Sequence, residues 1–220
     1  HCFIRAFRFF FNCLLSAVFN EIILMKIVLA THNHDKEIEL QHSLRGLGID
    51  ICLLSEYPDI GEIEETGTTL LENSLLKAHT VHDRTGLPAI ADDTGLEIDA
   101  LDGAPGVYSA RFAGPDATYE DNINKLLSVM EDVSDDMRSA RFRTVISFVD
   151  EVQELWTEGF IEGRITEDPR GNMGFGYDPV FYVPRLEKTF AELSIAEKNK
   201  ISHRGLALQK LRKILINVLK

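Results

Sequence analysis

Apolar and polar residues alternate along the first part of the chain in a way that predicts strands and helices in turn. The β-branched run at 26–31 predicts a strand, leucines at helical spacing over 35–47 predict a helix, and 49–54 predicts a second strand. This order is typical of a βαβ unit. The stretch TLLE at 69–72 matches a capping box, and the apolar positions after it predict a long helix that ends near Gly86.

The second part of the chain departs from this strict alternation. Its pattern predicts a short strand at 88–91, a folded loop at 101–114 and an amphipathic helix at 123–130. It then predicts two antiparallel strands at 141–149 and 155–165, a short strand at 179–183 and a final helix at 204–219. A βαβ unit followed by a hairpin indicates a mixed sheet. We therefore expect the α/β class: a single domain with two lobes around a mixed, partly antiparallel β-sheet flanked by helices, with the active site in the cleft between the lobes.

The first 24 residues differ from the rest of the chain. Arg5 and Arg8 precede the apolar stretch 9–19, which resembles the beginning of a signal peptide. Polar residues interrupt that stretch, no small-residue cleavage site follows it, and it is too short to span a bilayer comfortably. We interpret 1–24 as upstream or added sequence, with a targeting segment as the alternative, and 25–220 as the folded domain.

Composition narrows the class of partner. The 220 residues carry a formal net charge of -12, which would repel a phosphate backbone, so nucleic acid is not expected as a partner. A membrane is not expected as a partner either. Cys2, Cys13 and Cys52 are too scattered for a disulfide framework or a zinc site. Such cysteine use is typical of a reducing compartment, and we predict the cytoplasm.

The segment THNHDK, from Thr31 to Lys36, joins the first predicted strand to the first predicted helix. Backbone N–H groups at a helix N-terminus attract anions, and Lys36 adds a positive charge there. The segment therefore predicts a phosphate site. The alternative is an ordinary N-cap, in which Asn33 or Asp35 bonds its own backbone.

Two acidic pairs share one pattern, EETG at 64–67 and DDTG at 92–95. Magnesium prefers hard oxygen ligands and usually takes one or two carboxylates together with substrate phosphates. Glu64 and Glu65 have the alternative of a solvated loop. Asp92 and Asp93 follow an apolar strand, and we expect Gly95 to allow a tight turn that exposes them at the sheet edge.

A glycine-rich stretch, GNMGFGYDP at 171–179, contains an aromatic residue between two glycines. An uncovered Phe175 ring would suit stacking against a flat ligand such as a base. Asp178 and nearby backbone groups would then read the edge of that base. The alternative is a hairpin whose aromatic residues pack into the core.

A basic segment, EKNKISHRG at 197–205, precedes the final helix. Ser202 is predicted as the N-cap of that helix, which places His203 and Arg204 in its first turn. Positive residues oppose the helix dipole there, so they are expected to contact an anion or a carbonyl. An exposed basic surface is the alternative.

Seven motifs in order resemble the inosine triphosphate pyrophosphatase family. They are THNxxK, EETG, ENSLLKA, ADDTGL, GAPGVYSARFAG, GFGYDPVF and ISHRG, and the resemblance runs from Met25 to about Leu215. It implies magnesium-dependent hydrolysis of ITP, dITP or XTP to the monophosphate and pyrophosphate, in a homodimer.

The resemblance also implies roles for individual residues. Asp93 matches the general base and a metal ligand, and Glu64 matches the other metal ligand. The predicted substrate-binding residues are Thr31, His32, Asn33, His34, Asp35, Lys36, Thr94, Phe175, Gly176, Tyr177, Asp178, Lys198, His203 and Arg204. Two positions depart from the family pattern, since His32 stands where glycine is usual and Thr94 where serine is common.

A mechanism follows as a hypothesis from these roles. Asp93 would accept a proton from water, and Lys36 and Lys198 would neutralise the departing pyrophosphate. Arg204 can only donate hydrogen bonds, so it would recognise the 6-oxo group of hypoxanthine or xanthine. Asp92 would orient Asp93 or water, or support the turn.

Two other classes of function are weaker. A haloacid-dehalogenase-type phosphatase needs two aspartates separated by one residue, and DDTG has the wrong spacing. A nucleotide-sensing or RNA-binding module would use Phe175 and the basic cluster, but the acidic total opposes it.

Overall fold

The computed structural model describes residues 24–218, which include eight strands and five α-helices. The strands are β1 Met25–Leu29, β2 Ile49–Leu53, β3 Ala89–Ile98, β4 Pro105–Gly106, β5 Ser139–Val149, β6 Glu154–Ile165, β7 Phe181–Val183 and β8 Lys188–Thr189. The α-helices are α1 His34–Leu44, α2 Leu70–Thr85, α3 Tyr119–Val129, α4 Ile195–Ile201 and α5 His203–Val218. The interpretation of 1–24 falls outside the described residues except for Leu24.

The strands form one mixed sheet in the order β2-β1-β3-β5-β6-β7-β8, with β4 paired to β3. β1 lies parallel to both β2 and β3, whereas β3, β5, β6, β7 and β8 pair antiparallel. The predicted α/β fold with a mixed sheet is therefore confirmed. Among the helices of residues 24–218, none is both long enough and apolar enough to cross a membrane.

Local signals placed several element ends correctly. Thr69 Oγ1 accepts a hydrogen bond from the Glu72 backbone N–H, and the Glu72 carboxylate accepts one from the Thr69 N–H, so the capping box is present. Gly86 ends α2 in the left-handed region at φ 67°. β5 and β6 pair as the predicted hairpin.

Strand β3 corrects the prediction for the acidic pair. We expected the strand to end at residue 91 and to turn at Gly95, but it continues to Ile98 and carries Asp92 and Asp93 in its interior. A Cβ atom at Gly95 would lie 2.8 Å from the Gly106 carbonyl oxygen, so this glycine allows close approach of β4 rather than a turn. Both aspartates are buried beneath the cleft instead of lying exposed at an edge.

Two hydrophobic clusters cover opposite faces of the sheet around β1 and β3. On one face, Leu40 of α1 and Leu211 of α5 belong to the same cluster as Phe148. On the other face, Val81 of α2 belongs to the same cluster as Val28. Since successive residues of a strand point to opposite faces, Asp92 and Asp93 face different helices.

The second lobe has its own core around three aromatic rings. The centroids of Phe142 and Phe181 are 4.6 Å apart, and those of Phe181 and Phe190 are 5.0 Å apart. Leu126 of α3 belongs to this cluster. The cleft lies between this core and the helices on β1 and β3, and Phe142 forms part of its wall.

Candidate active site

The cleft between the lobes encloses about 760 Å³ that is open to solvent. It brings together most of the residues that the sequence predicted, namely Asn33, Lys36, Asp93, Thr94, Phe175, Gly176, Tyr177, Asp178, Lys198, His203 and Arg204. Glu65, Ser109, Tyr119 and Asn122 are among the other residues that line it. The cleft therefore has an acidic end at Glu65 and Asp93 and an aromatic end at Phe175.

Asp93 is held in a fixed orientation at the acidic end. Asn73 Nδ2 on α2 donates to Asp93 Oδ2 at 3.2 Å, and the Thr94 backbone N–H donates to Asp93 Oδ1 at 2.9 Å. Asn73 is itself fixed, because its Oδ1 accepts from the Gly67 N–H at 2.8 Å. Burial of this carboxyl, which is 4% exposed, raises the pKa of Asp93 above its ordinary value. An oriented carboxylate with a raised pKa is suited to accept a proton.

Glu65 lies beside Asp93 and is paired with two cations. Its Oε1 is 2.6 Å from Lys77 Nζ, and its Oε2 is 3.1 Å from Arg111 Nη1. Burial opposes ionisation of Glu65, but the neighbouring ammonium of Lys77 outweighs it and lowers the pKa of Glu65. Glu65 therefore presents an ionised carboxylate to the cleft.

Glu64, the residue predicted as a metal ligand, does not line the cleft among the described residues. Its side chain is exposed to solvent, and its neighbour Glu65 lines the cleft. Of the two adjacent acids, only Glu65 lines the cleft among the described residues. Contacts with Lys77 and Arg111 select Glu65 for that position.

The donor atoms at the acidic end fit a hard divalent cation. Glu65 and Asp93 both offer carboxylate oxygens to the cleft, and such oxygens are the ligands that Mg²⁺ prefers. Within residues 24–218, no group of three His, Cys, Asp or Glu side chains is placed to hold a metal ion. A cation here would therefore need phosphate or water oxygens to complete its coordination.

A buried network of charges lies on the other face of β3. Asp92 Oδ2 is 3.2 Å from Lys36 Nζ on α1 and 3.1 Å from Arg204 Nε on α5. Arg204 Nη1 is 2.6 Å from Glu39 Oε2, and Arg204 Nη2 donates to Thr94 Oγ1 at 3.0 Å. Asp92 thus fixes two cations of the cleft wall, Lys36 and Arg204.

The glycine-rich loop places Phe175 at the aromatic end of the cleft. The Phe175 backbone N–H donates to Asp178 Oδ2 at 2.9 Å, and the same carboxylate is 2.6 Å from Lys198 Nζ. Lys198 Nζ lies 4.7 Å from the centroid of the Phe175 ring, and the Arg204 guanidinium carbon lies 5.7 Å from it. The half-buried ring therefore forms a platform beside two fixed cations.

Gly174 is expected to be intolerant of a side chain, unlike Gly176 in the same loop. Both have a positive φ, 77° and 61°, but a Cβ atom at Gly174 would collide with the Asp178 carboxylate, whereas one at Gly176 would meet no atom within 4 Å. Gly176→Ala should cost about 1–2 kcal/mol of folding free energy from backbone strain alone, and Gly174→Ala should cost more and weaken nucleotide binding. Urea unfolding and nucleotide titration of the two variants check this, and equal effects would contradict it.

The first turn of α5 confirms one prediction and corrects another. Ser202 Oγ accepts a hydrogen bond from the Gly205 N–H at 3.1 Å, so Ser202 caps the helix as expected. His203 is buried and stacks on Phe142, with centroids 4.6 Å apart. Burial holds the pKa of His203 well below its ordinary value, so the prediction that it adds positive charge is wrong. Arg204 carries the charge of this turn.

Only part of the segment from Thr31 to Lys36 lines the cleft. Asn33 Oδ1 accepts from the Lys36 N–H at 3.1 Å, so the N-cap alternative is correct for the backbone of α1. Thr31, His32, His34 and Asp35 do not line the cleft among the described residues. His32 Nε2 contacts the Gly61 carbonyl oxygen at 2.9 Å, and His34 pairs with Glu37.

Tyr119 connects the two lobes at the mouth of the cleft. Its hydroxyl accepts from Asn33 Nδ2 at 3.1 Å and donates to Asp35 Oδ2 at 3.0 Å. Its ring centroid is 5.9 Å from that of Phe175. No sequence motif marks Tyr119, because it stands at an ordinary helix start.

The sequence analysis did not identify several other residues of the site, although the spacing of two of them could have indicated their role. Asn73 and Lys77 are four residues apart in ENSLLKA, so they lie on one face of α2 and both reach Asp93. Glu39 follows Lys36 by three residues on α1 and contacts Arg204 and Lys198. Tyr177, which was predicted to bind substrate, lines the cleft, and its hydroxyl donates to the Ser109 carbonyl oxygen at 2.9 Å.

An α/β fold that gathers paired carboxylates, fixed cations and an aromatic platform in one cleft defines a class of proteins suited to phosphate-bearing ligands with a flat ring. Comparison with known families identifies which family within this class the chain belongs to. Residues 27–214 match the Ham1 family, and the chain belongs to that family. This confirms the resemblance read from the motifs.

Similar proteins and structures agree with this assignment. Proteins named dITP/XTP pyrophosphatase from Thermoanaerobacter pseudethanolicus and Vibrio cholerae are each 50% identical to the chain, over 87% and 86% of it and over 97% and 95% of their own lengths. The solved structure of a HAM1 protein from Coxiella burnetii matches with a TM-score of 0.81 at 47% identity, covering 88% of this chain and all of that one. The Staphylococcus aureus Ham1 protein matches with a TM-score of 0.78 at 39% identity, covering 86% of this chain and 97% of that one.

Proposed function

We propose that the chain hydrolyses non-canonical purine nucleoside triphosphates, namely ITP, dITP and XTP, to the nucleoside monophosphate and pyrophosphate. In doing so it would cleanse the nucleotide pool and prevent incorporation of these nucleotides into DNA and RNA. Membership of the Ham1 family and the names of its relatives support a hydrolase of this kind. The observation that carries the proposal is the position of the buried Asp93 in the same cleft as the Phe175 platform.

Asp93 acts in this proposal as the general base. Its oriented carboxylate accepts a proton from the water that attacks the α-phosphorus, while the bond to the bridging oxygen breaks and pyrophosphate leaves. Lys36, fixed by Asp92, provides positive charge near the phosphates. Mg²⁺ held by Asp93 and Glu65, rather than by Glu64, would supply charge stabilisation for the phosphate oxygens when bound.

The aromatic end of the cleft recognises the base in this proposal. A purine stacks on Phe175, and Arg204 and Lys198 lie beside the ring as hydrogen-bond donors for the 6-oxo group. Lys198 is therefore assigned to the base and not to the leaving pyrophosphate, because it is fixed between Asp178 and Glu39 at this end. Adenine has a donor where hypoxanthine has an acceptor, so ATP would leave these donors unpaired.

Three further features belong to the proposal. They are magnesium as the cofactor, a homodimer as the working assembly and the cytoplasm as the compartment where the nucleotide pool is found. Sedimentation of the full chain tests the dimer, and removal of Mg²⁺ by a chelator should abolish hydrolysis of ITP. Hydrolysis that persists in excess chelator would contradict the choice of cofactor.

Phe175→Ala should weaken substrate binding more than it slows the chemical step. Stacking of a base on an aromatic side chain is worth about 1–3 kcal/mol, which corresponds to a rise in KM of about 5- to 150-fold with a smaller change in kcat. Steady-state kinetics with ITP measure both constants. Met173→Ala, which truncates an exposed side chain in the same loop, is the control and should behave as the wild type. An unchanged KM in Phe175→Ala would remove the ring from base recognition.

A substrate panel tests the proposed activity itself. The full chain is incubated with Mg²⁺ and separately with ITP, XTP, dITP, GTP and ATP, and pyrophosphate and orthophosphate are measured independently. We expect pyrophosphate from ITP, XTP and dITP and far less from ATP. Equal hydrolysis of ATP, or orthophosphate as the first product, would refute the proposal.

A further inference from the structure

Lys77 lies at the acidic end of the cleft and contacts both carboxylates that the proposed function assigns to a divalent cation. Its Nζ is 2.6 Å from Glu65 Oε1 and 3.6 Å from Asp93 Oδ1. The side chain is only 10% exposed, so water provides little screening of these contacts. Its positive charge therefore lies where a cation bound to both carboxylates would also lie.

The negative charges of Glu65 and Asp93 explain why the charged side chain of Lys77 is tolerated in a buried position. Glu65 and Asp93 both contact the same ammonium nitrogen, at 2.6 Å and 3.6 Å, so their negative charges lie close together and repel each other. The ammonium of Lys77 offsets that repulsion because it contacts both carboxylates. Arg111 contacts the other oxygen of Glu65, Oε2, so it does not lie between the two carboxylates.

We propose that Lys77 is a built-in substitute for the divalent cation. Before nucleotide binds, it neutralises Glu65 and Asp93 and competes with the cation for their oxygens. When a triphosphate enters, its negative charge gives the ammonium a new partner and releases the carboxylate oxygens. The inference rests on the proposed function, because it takes Glu65 and Asp93 as ligands of the cation.

The proposal sets how cation and nucleotide bind relative to each other. The cation alone binds weakly, because it must displace Lys77 from two ion pairs. The nucleotide strengthens cation binding, and by thermodynamic linkage the cation strengthens nucleotide binding by the same factor. A purely structural ion pair would predict no such gain in cation affinity on removal of the lysine.

Isothermal titration of the full chain with Mg²⁺ alone, and with Mn²⁺ alone, tests the proposal without nucleotide. Lys77→Met, which keeps the apolar stem and removes the charge, should bind either cation more tightly than the wild type, by about 5- to 150-fold, the usual range of coupling between sites. Lys77→Arg should stay as weak as the wild type. Lys213→Met, which removes an exposed charge from α5, is the matched control and should leave cation binding unchanged.

Thermal melting supplies a second readout. Lys77→Met should melt at a lower temperature than the wild type without cation, and added Mg²⁺ should raise its melting temperature by more. If the variant does not fold in buffer alone, recovery of its fold only with Mg²⁺ supports the proposal, and failure to recover overturns it. A folded Lys77→Met that binds both cations no more tightly than the wild type also overturns it. These titrations need no turnover, so absence of ITP hydrolysis would refute the proposed function separately.

Discussion

Asp93→Asn is expected to reduce turnover of ITP by on the order of 10²-fold or more, the scale of general-base catalysis. Asparagine has the same size, and its side-chain oxygen can still accept from Asn73 or the Thr94 N–H. It cannot accept a proton from water at neutral pH. The loss should therefore appear in kcat while the geometry of the site is kept.

Stability separates this loss of activity from unfolding. Burial raises the pKa of Asp93, so its ionised form is disfavoured in the folded state, and Asp93→Asn should leave the melting temperature unchanged or raise it. Asp132→Asn, an exposed aspartate outside the cleft, is the control for both measurements. Near-normal kcat in a folded Asp93→Asn would remove Asp93 from the role of base.

Asp92→Asn should have the opposite signature, a large loss of stability. Asp92 is fully buried and pairs with Lys36 and Arg204, so its neutralisation leaves two cations without their shared counter-charge. Breaking a buried ion pair from one side costs about 3–5 kcal/mol. Urea unfolding at neutral pH should show a loss of this size relative to the wild type and to Asp132→Asn. A loss below about 1 kcal/mol would show that these contacts contribute little.

The pH dependence of this effect has a definite sign. Burial alone would favour the neutral acid, but the charges of Lys36 and Arg204 outweigh it and hold the pKa of Asp92 well below its ordinary value. The stability that Asp92 contributes is therefore present above about pH 4, the range of an unfolded aspartate, and is lost as pH falls toward the folded pKa. The difference between wild type and Asp92→Asn should be constant from pH 7 to about pH 5 and shrink in more acidic solution.

The sequence predicted the order of elements well because local signals determine it. Leucine spacing, the capping box before α2 and Gly86 after it are properties of neighbouring residues. The predicted length of β3 was wrong because it, too, was inferred from neighbouring residues alone. Two adjacent aspartates indicate the end of a buried strand unless they have partners, and the partner Arg204 is 112 residues away along the chain.

The site was predicted in part, and its misses have a common physical cause. Motifs identified Asp93, Phe175 and Arg204, all of which the fold brings to one cleft. Which of two adjacent acids faces the cleft depends on Lys77 and Arg111, which reach it from other elements. The contacts of Tyr119 with Asn33 and Phe175 likewise exist only once the lobes have come together.

Hydrolysis of ITP in ¹⁸O-labelled water tests the central claim, that Asp93 activates a water for attack on the α-phosphorus. After a single turnover with Mg²⁺, mass spectrometry of both products locates the new oxygen. We expect the label in the nucleoside monophosphate and none in pyrophosphate, and a slower reaction of Asp93→Asn that places the label in the same product. Label in pyrophosphate or in orthophosphate would contradict it.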